Sequence, residues 1–330
     1  MIIDAYTHIL PMNYRQALLD LGIMEHKNVP RYLGDMEDRV NFLKDFPDVS
    51  NIVVPMALPW GVRPDAETAA RLAAIYNDGV AELAAKYSDI IFAAVASIPI
   101  NDIDNSLKEA ERAITKLGMK GILLPCSLYG EEIDSPRVRP LLEMMAGFDL
   151  PIWLHPCPVA AQRGFVPRSG GWEMLSETAD VMYHLACSGI FEDYPNIKFV
   201  VHHGGSFIPF FHTRLKSQHF DMMDEEGRVI PPEVMYAGDF TEPDHTLSEK
   251  YYANLRKFYA DTAFYGVATS SVRAILDFYE PGHVIFGTDF PLPTARELAP
   301  SLETIHRLGL TEKEREDVLY NNAAKLISLN

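Results

Sequence analysis

No stretch of this 330-residue chain stays apolar for the roughly 18–20 residues that a membrane crossing needs. Its opening, MIIDAYTHILP, lacks a basic start followed by an apolar core, so no secretory signal is expected. Basic residues are scarce. The chain has 29 Lys and Arg against 46 Asp and Glu, a formal net charge of −17. That balance argues against nucleic acid or an anionic membrane as a partner, since each wants a basic face. It also means that an anionic substrate must be captured by a few local arginines. Cysteine is scarce as well: Cys126, Cys157 and Cys187 are an odd number in a large chain, which fits free thiols in a reducing, cytoplasmic setting. There is no internal repeat and no low-complexity segment. No Gly-rich phosphate turn follows the first apolar run, which counts against a doubly wound nucleotide-binding sheet.

What the chain does have is a recurrent pattern. Short, nearly continuous apolar runs fall at 2–5, 51–55, 91–97, 120–125, 151–155, 197–202, 258–262 and 283–288. Such runs suit strands of a parallel sheet buried on both faces. Amphipathic stretches at 65–87, 101–117, 138–147, 173–188, 268–278 and 311–328 read as helices between and after them. Eight buried strands alternating with helices predict a (β/α)8 barrel of the TIM type, one domain over 1–330. Three connections, 9–50, 156–172 and 203–257, are longer than links need to be and are expected to form lids or subunit contacts.

In a barrel of this kind the chemistry sits where the strands end. The first strand leaves through Asp4, Tyr6 and His8, which regular alternation would put on one face. The fifth ends at His155, the sixth at His202-His203-Gly204-Gly205, and the eighth at Thr288-Asp289. Taken singly, Asp289 reads as a turn cap, His155 as a satisfied core histidine and His202-His203 as part of a tight turn. Together they place three imidazoles and a carboxylate at one end of the barrel. That donor set suits a divalent metal with a position left open.

At these residues the sequence resembles the amidohydrolase superfamily, and within it the branch of 2-amino-3-carboxymuconate-6-semialdehyde decarboxylase and related aromatic-acid decarboxylases. The likeness runs from Ile3-Asp4 to Asn322-Ala323-Ala324-Lys325-Leu326. The resemblance implies metal ligands at His8, His155 and Asp289, and a catalytic histidine at His202. It also implies a substrate-carboxylate arginine at Arg39, and an arginine at Arg214 that reaches into the neighbouring subunit of a homodimer. One position departs from the pattern: the family carries His-x-His where this chain has Tyr6-Thr7-His8. A phenol with a pKa near 10 is a poor ligand unless a metal strips its proton. Tyr6 is therefore read in three ways: as a phenolate ligand, as a neighbour of a three-ligand metal, or as a catalytic hydrogen-bond donor in a metal-free site.

The reaction that follows is non-oxidative decarboxylation of a small aromatic or unsaturated carboxylic acid. A divalent metal, zinc in preference to manganese, polarises an oxygen beside the reacting carbon. His202 or Asp289 delivers the proton, and Arg39 and Arg214 hold carboxylates by bidentate pairs. Trp60, Phe165 and Trp172 stack a flat substrate or simply pack under a lid. Cys157 stands at the site's edge, as ligand, nucleophile or inert thiol, and Arg163 and Arg168 are further anion-capture candidates. The same residues also suit water addition to a lactone, amide or double bond, and a barrel that only binds an acid is a third reading.

Overall fold

The computed structural model describes residues 1–24, 33, 36–56, 62–128, 130–157, 170–218, 245–263, 269–291 and 298–327. Among them run eight parallel strands: β1 (Ile2–Ile9), β2 (Val49–Pro55), β3 (Ile91–Ala94), β4 (Ala96–Ser97), β5 (Ile122–Pro125), β6 (Ile152–His155), β7 (Phe199–Val201) and β8 (Tyr259–Ala260). They form a ladder β1-β2-β3 and a ladder β4-β5-β6-β7-β8. β3 and β4 are two halves of one stave, the expected 91–97. Val95 between them donates to the Val53 carbonyl on one side, and Ala96 donates to Gly121 on the other. The last stave, 283–290, closes the ring. Across the β8 edge Ala260 donates to the His283 carbonyl and accepts from the Ile285 N–H, while Ala5, His8 and Asp289 bond across the β1 edge. The result is the (β/α)8 barrel expected from the run of apolar segments.

Side-chain alternation then sorts the interior. Ile52 and Val54 of β2, Leu123 of β5, Trp153 of β6 and Val200 of β7 fill the lumen with Ile3, Ala5, Tyr6 and Ile285. The other parity, including Val53, Leu124, Leu154 and Val201, packs outward against the helices. Ala323, Leu326 and Ile327 from the last helix, Asn322–Ile327, cover the end of the barrel opposite the site.

β1 breaks the alternation. Its register with β2 advances from Asp4↔Asn51 to Thr7↔Val53, so three residue steps on β1 face two on β2. This bulge reverses which parity points inward. Ile3 and Ala5 fill the lumen below it, and Tyr6 and His8 enter above it. Asp4 therefore does not share their face, contrary to the reading from regular alternation. Instead it accepts from the Thr288 backbone at 3.0 Å and the Thr288 hydroxyl at 2.6 Å, fastening β1 to the closing stave.

The expected helices form at Ala66–Lys86, Ile103–Thr115, Arg139–Phe148, Gly170–Cys187 and Thr269–Phe278. Asp65 and Asp102 cap the first two by accepting from the backbone N–H three residues on. The last expected helix is instead three pieces, with a π-helical turn at Asp317–Asn321. The long connections carry helices of their own: Met12–Asp20 and Met36–Leu43 in the first, Ile208–Gln218 and His245–Arg256 in the third.

Candidate active site

Five polar side chains leave the barrel at its C-terminal end: His8 from β1, His155 from β6, His202 after β7, Asp261 after β8 and Asp289 after the closing stave. All are buried, and this is where the physical chemistry concentrates. His8 Nε2 lies 3.1 Å from Asp289 Oδ1, and His202 Nε2 lies 3.3 Å from the same oxygen. Neither imidazole nitrogen completes a well-directed hydrogen bond.

The opposite nitrogen of each ring is committed. His8 Nδ1 donates to the Pro55 carbonyl at 3.1 Å, and His155 Nδ1 to the Pro156 carbonyl at 2.8 Å. His202 Nδ1 is held by Asp261 Oδ2. For His8 and His155, fixing the proton on Nδ1 leaves Nε2 as the coordinating atom, the arrangement found around metal-bound histidines; His202 would have to give up its Nε2 proton to join them. The donor atoms of His8, His202 and Asp289 all fall within 4.8 Å of one another. Two donors bound at about 2.0–2.2 Å to one ion stand about 3.0–3.5 Å apart, so the observed spacings accommodate a divalent cation. His155 stands beside this group, outside the 4.8 Å set, with its ring 5.2 Å from that of His8.

Backbone strain aims two of these groups. Asp289 has φ of +62°, an uncommon state for a residue with a Cβ. The turn after His202 runs through His203, Gly204, Gly205 and Ser206, all at positive φ. Gly287, just before Asp289, is required for a close approach: a Cβ there would meet Asp261 Cβ at 2.9 Å and Tyr6 Cβ at 3.2 Å.

Charge is distributed unevenly. Burial opposes a charged His202, but Asp261 and Asp289 outweigh it and hold the imidazolium up to about 10. Burial, reinforced by His8 and His202, pushes His155 down to about 3, so that ring is neutral. Burial and then His202 do the same to His203. Asp289 resists its own desolvation because His202 and His8 stabilise its charge, and it stays well below the usual carboxylate range.

Tyr6 turns its hydroxyl to the barrel wall. Its hydroxyl donates to the Leu154 carbonyl at 3.1 Å, and burial, then Asp261, push it well above its ordinary value. Its ring lies flat on His202, with centroids 3.8 Å apart and an interplanar angle of 7°. His203 covers the other face of His202 at 3.8 Å.

The remaining candidates scatter. Arg39 is fully buried and turned to its own chain, donating to Asn51 Oδ1 at 3.0 and 3.2 Å and to the His8 carbonyl at 2.7 Å. It lies over the Phe290 ring at 4.7 Å. In this placement the guanidinium holds the end of β1 in place, and its contacts among the described residues are to the chain itself. Arg214 is exposed on helix Ile208–Gln218, near the exposed Phe210 and Phe211, and among the described residues no contact brings it to the cluster. Trp172 is also exposed and packs on Phe207 at 5.4 Å. Trp60, Phe165, Arg163 and Arg168 lie outside the described residues. Cys157 Sγ lies 3.8 Å from His155 Nδ1, but burial pushes its thiol up to about 12, which argues against a nucleophile.

Asp261 is the residue that sequence reasoning missed. Its Oδ1 accepts from the Gly204 and Ala263 backbone at 3.1 Å each, while Oδ2 holds His202. The signal was available, since it is a carboxylate at the exit of the 258–262 run.

Comparison with known proteins places this geometry. The amidohydrolase family model matches residues 3–329. The chain is 23% identical to the 2-amino-3-carboxymuconate-6-semialdehyde decarboxylase of Dictyostelium discoideum, over 99% of this chain and 92% of that one. The crystal structure of 5-carboxyvanillate decarboxylase from Sphingomonas paucimobilis superposes with a TM-score of 0.78 at 21% identity, covering 100% of this chain and 99% of the other. A dihydroxybenzoic acid decarboxylase from Polaromonas sp. JS666, solved with manganese and the inhibitor 2-nitroresorcinol, gives 0.76 at 21% identity, covering 99% and 96%. At these identities the two structures share the fold with this chain. The family match from Ile3 to Leu329 goes further: the chain belongs to the amidohydrolase family.

Proposed function

We propose that the chain is a metal-dependent, non-oxidative decarboxylase of a small aromatic carboxylic acid, a carbon–carbon lyase. The observation that carries this is the convergence of His8, His202 and Asp289 donors at the C-terminal mouth of the barrel. The decarboxylases among the chain's relatives and structural neighbours support the reaction type. A divalent metal held at His8 and Asp289 with an imidazole partner would supply Lewis-acid polarisation of a substrate oxygen next to the reacting carbon.

The chain's own residues account for the rest. The reaction breaks the bond from ring carbon to carboxylate, releases CO2 and forms one C–H bond with a proton drawn from solvent. Asp289 relays that proton, because it is central to the cluster and its strained backbone aims it there. His155, neutral and fixed through Nδ1, presents Nε2 to the substrate as a hydrogen-bond acceptor. Tyr6 and Trp153 fill the lumen below and keep water out.

Manganese has the support of the neighbour that binds it, and zinc that of the mixed imidazole and carboxylate donors. The exposed Trp172, Phe210, Phe211 and Arg214 suit a homodimer contact. The three free thiols suit the cytoplasm, and the barrel's single closed ring suits one domain. No helix among the described residues is long and apolar enough to cross a membrane.

The test is CO2 release from a panel of 2,6-dihydroxybenzoate, 2-hydroxybenzoate and 5-carboxyvanillate, with manganese or zinc restored to stripped protein. Turnover of one acid that Asp289→Asn abolishes, with folding intact, supports the reading. No CO2 from any acid, together with hydrolysis of lactones or amides, would replace it with water addition.

A further inference from the structure

The direction of Asp289 is set by the turn it stands on, and each backbone N–H of that turn is spoken for. Thr288 N donates to Asp4 Oδ1 at 3.0 Å. Asp289 N donates to the Tyr6 carbonyl at 3.0 Å. Phe290 N donates to the Thr288 hydroxyl at 3.2 Å, and that hydroxyl donates in turn to Asp4 Oδ2 at 2.6 Å. Asp4 therefore controls two of the three groups, one directly and one through Thr288. The Phe290 carbonyl accepts from His8 N at 2.7 Å, so the same clamp reaches the backbone of the neighbouring imidazole. Asp4, Thr288 and Asp289 are all buried.

The turn needs such a clamp. Asp289 holds a φ of +62°, and a residue with a Cβ stays in that state only where its neighbours over-determine it. Strand pairing supplies little of this, because the closing stave meets β1 here through an isolated bridge, Thr7 to Phe290. Yet Asp289 Oδ1 stands 3.1 Å from His8 Nε2 and 3.3 Å from His202 Nε2, a placement that a small rotation of the turn would destroy.

We propose that Asp4 and Thr288 are positioning residues that hold the backbone of Asp289, and through it the carboxylate, in its place between His8 and His202. The consequence for turnover rests on the metal-dependent reading above, in which Asp289 serves the reaction. Valine at 288 has nearly the shape of threonine but removes both the acceptor for Phe290 N and the donor to Asp4. Serine keeps both. Asparagine at 4 keeps the acceptor for Thr288 N but turns an amide N–H toward the hydroxyl, which then loses its own acceptor.

The experiment has two readouts on full-length protein stripped of metal. Equilibrium dialysis against Mn2+ and, separately, Zn2+ gives the affinity, and imidazole 1H–15N spectra of the metal-free protein report on the two rings that face Asp289. Thr288→Val is expected to weaken binding by about 10–100-fold, the usual loss when a supporting partner of a metal site is removed. It should lower kcat on the acid turned over by a similar factor with KM within about threefold, and it should shift the His8 and His202 signals. Thr288→Ser should return to within about threefold of wild type, with Asp4→Asn between the two. Thr304→Val is the control: it removes an equally buried hydroxyl, bonded to the Pro300 carbonyl on helix Leu298–Arg307, and should lower only the midpoint of urea unfolding. Circular dichroism of each variant establishes that it has folded.

If folded Thr288→Val binds metal as wild type does and leaves both imidazole signals in place, the positioning role falls and the metal-dependent reading stands. Equal losses of affinity in Thr288→Val and Thr304→Val would also sink it, because the cause would then be general stability. If wild type binds neither ion while Thr288→Val still displaces the two imidazole signals, the metal-dependent reading falls and the clamp on Asp289 stands.

Discussion

His202 and Asp261 form a buried couple at the barrel mouth in which one carboxylate does two jobs. Its Oδ2 accepts a hydrogen bond from His202 Nδ1, and its Oδ1 accepts from the backbone of the strained turn that carries His202. Ring and turn are thus oriented by one side chain. In Asp261→Asn the amide oxygen can still serve the backbone, but the amide N–H then faces Nδ1. A neutral imidazole must then keep its proton on Nε2, which removes the lone pair that a metal would take there. We expect a 10–100-fold loss of metal affinity, about the cost of removing a supporting hydrogen bond from a metal-bound histidine. A chelator-competition titration measures it. Unchanged affinity would show that the tautomer of His202 does not matter to the site.

Arg39 gives a second expectation. Lysine at this position cannot reach Asn51 Oδ1 and the His8 carbonyl together, because it lacks the planar fork. One buried acceptor is left unpaired, at about 1–3 kcal/mol. Arg39→Lys should therefore lower the midpoint of urea unfolding while KM of the folded enzyme stays within about threefold. Normal stability with KM raised tenfold or more would instead return Arg39 to the substrate's carboxylate.

The two arginine assignments mark the boundary of what the chain alone reveals. The barrel was legible because eight buried strands need eight continuous apolar runs, and Ile52 to Val54 or Ile152 to Leu154 cannot be mistaken for surface. His8, His155, His202 and Asp289 were legible because chemistry in this architecture gathers at strand exits. The β1 bulge was not, since alternation assumes an unbroken pleat and one extra residue takes Asp4 off the face that Tyr6 and His8 share. Arg39 was not legible either. Its burial depends on Asn51, the His8 carbonyl and Phe290, three positions that only the closed barrel brings together. Asp261 lay at a strand exit like the others, inside a run read for its hydrophobicity alone.

Asp4 should make stability depend on pH. Burial is the main cause that lifts its carboxyl from 3.8 to about 7, against the pull of the Thr288 hydrogen bonds and of Arg39. The native state therefore holds this proton more tightly than the unfolded chain does. The stability it contributes is fully present below about pH 4 and is lost as pH rises through about 7. At about 1.4 kcal/mol per unit the loss is roughly 4 kcal/mol. Asp4→Asn cannot ionise, so its stability curve should lack this fall. Urea unfolding at pH 5 and pH 8 tests it: the gap between variant and wild type should shift in the variant's favour at pH 8. Parallel curves would mean that Asp4 is ionised in the native state throughout.

The turn that carries His202 offers the sharpest test of packing. A Cβ on Gly205 would fall 1.9 Å from Tyr279 Oη and 3.1 Å from Met182 Sδ, and Gly205 has φ of +74°. Tyr279 is itself fixed, donating to the Gly204 carbonyl at 3.2 Å. Gly205→Ala should therefore cost about 1–3 kcal/mol from the overlap, with about 1–2 kcal/mol more from the left-handed backbone. Tyr279→Phe removes the oxygen and one buried hydrogen bond, at about 1 kcal/mol. Since the phenylalanine also removes the atom that the new methyl strikes, the double variant should be more stable than the sum of the two losses by about 0.5–3 kcal/mol. It should not return to wild type, because the positive φ is untouched by the second change. Strict additivity in a thermodynamic cycle would locate the cost of alanine in the backbone alone. The Tyr279 hydroxyl would then be a hydrogen-bond donor to the turn and not the wall that excludes a side chain at Gly205.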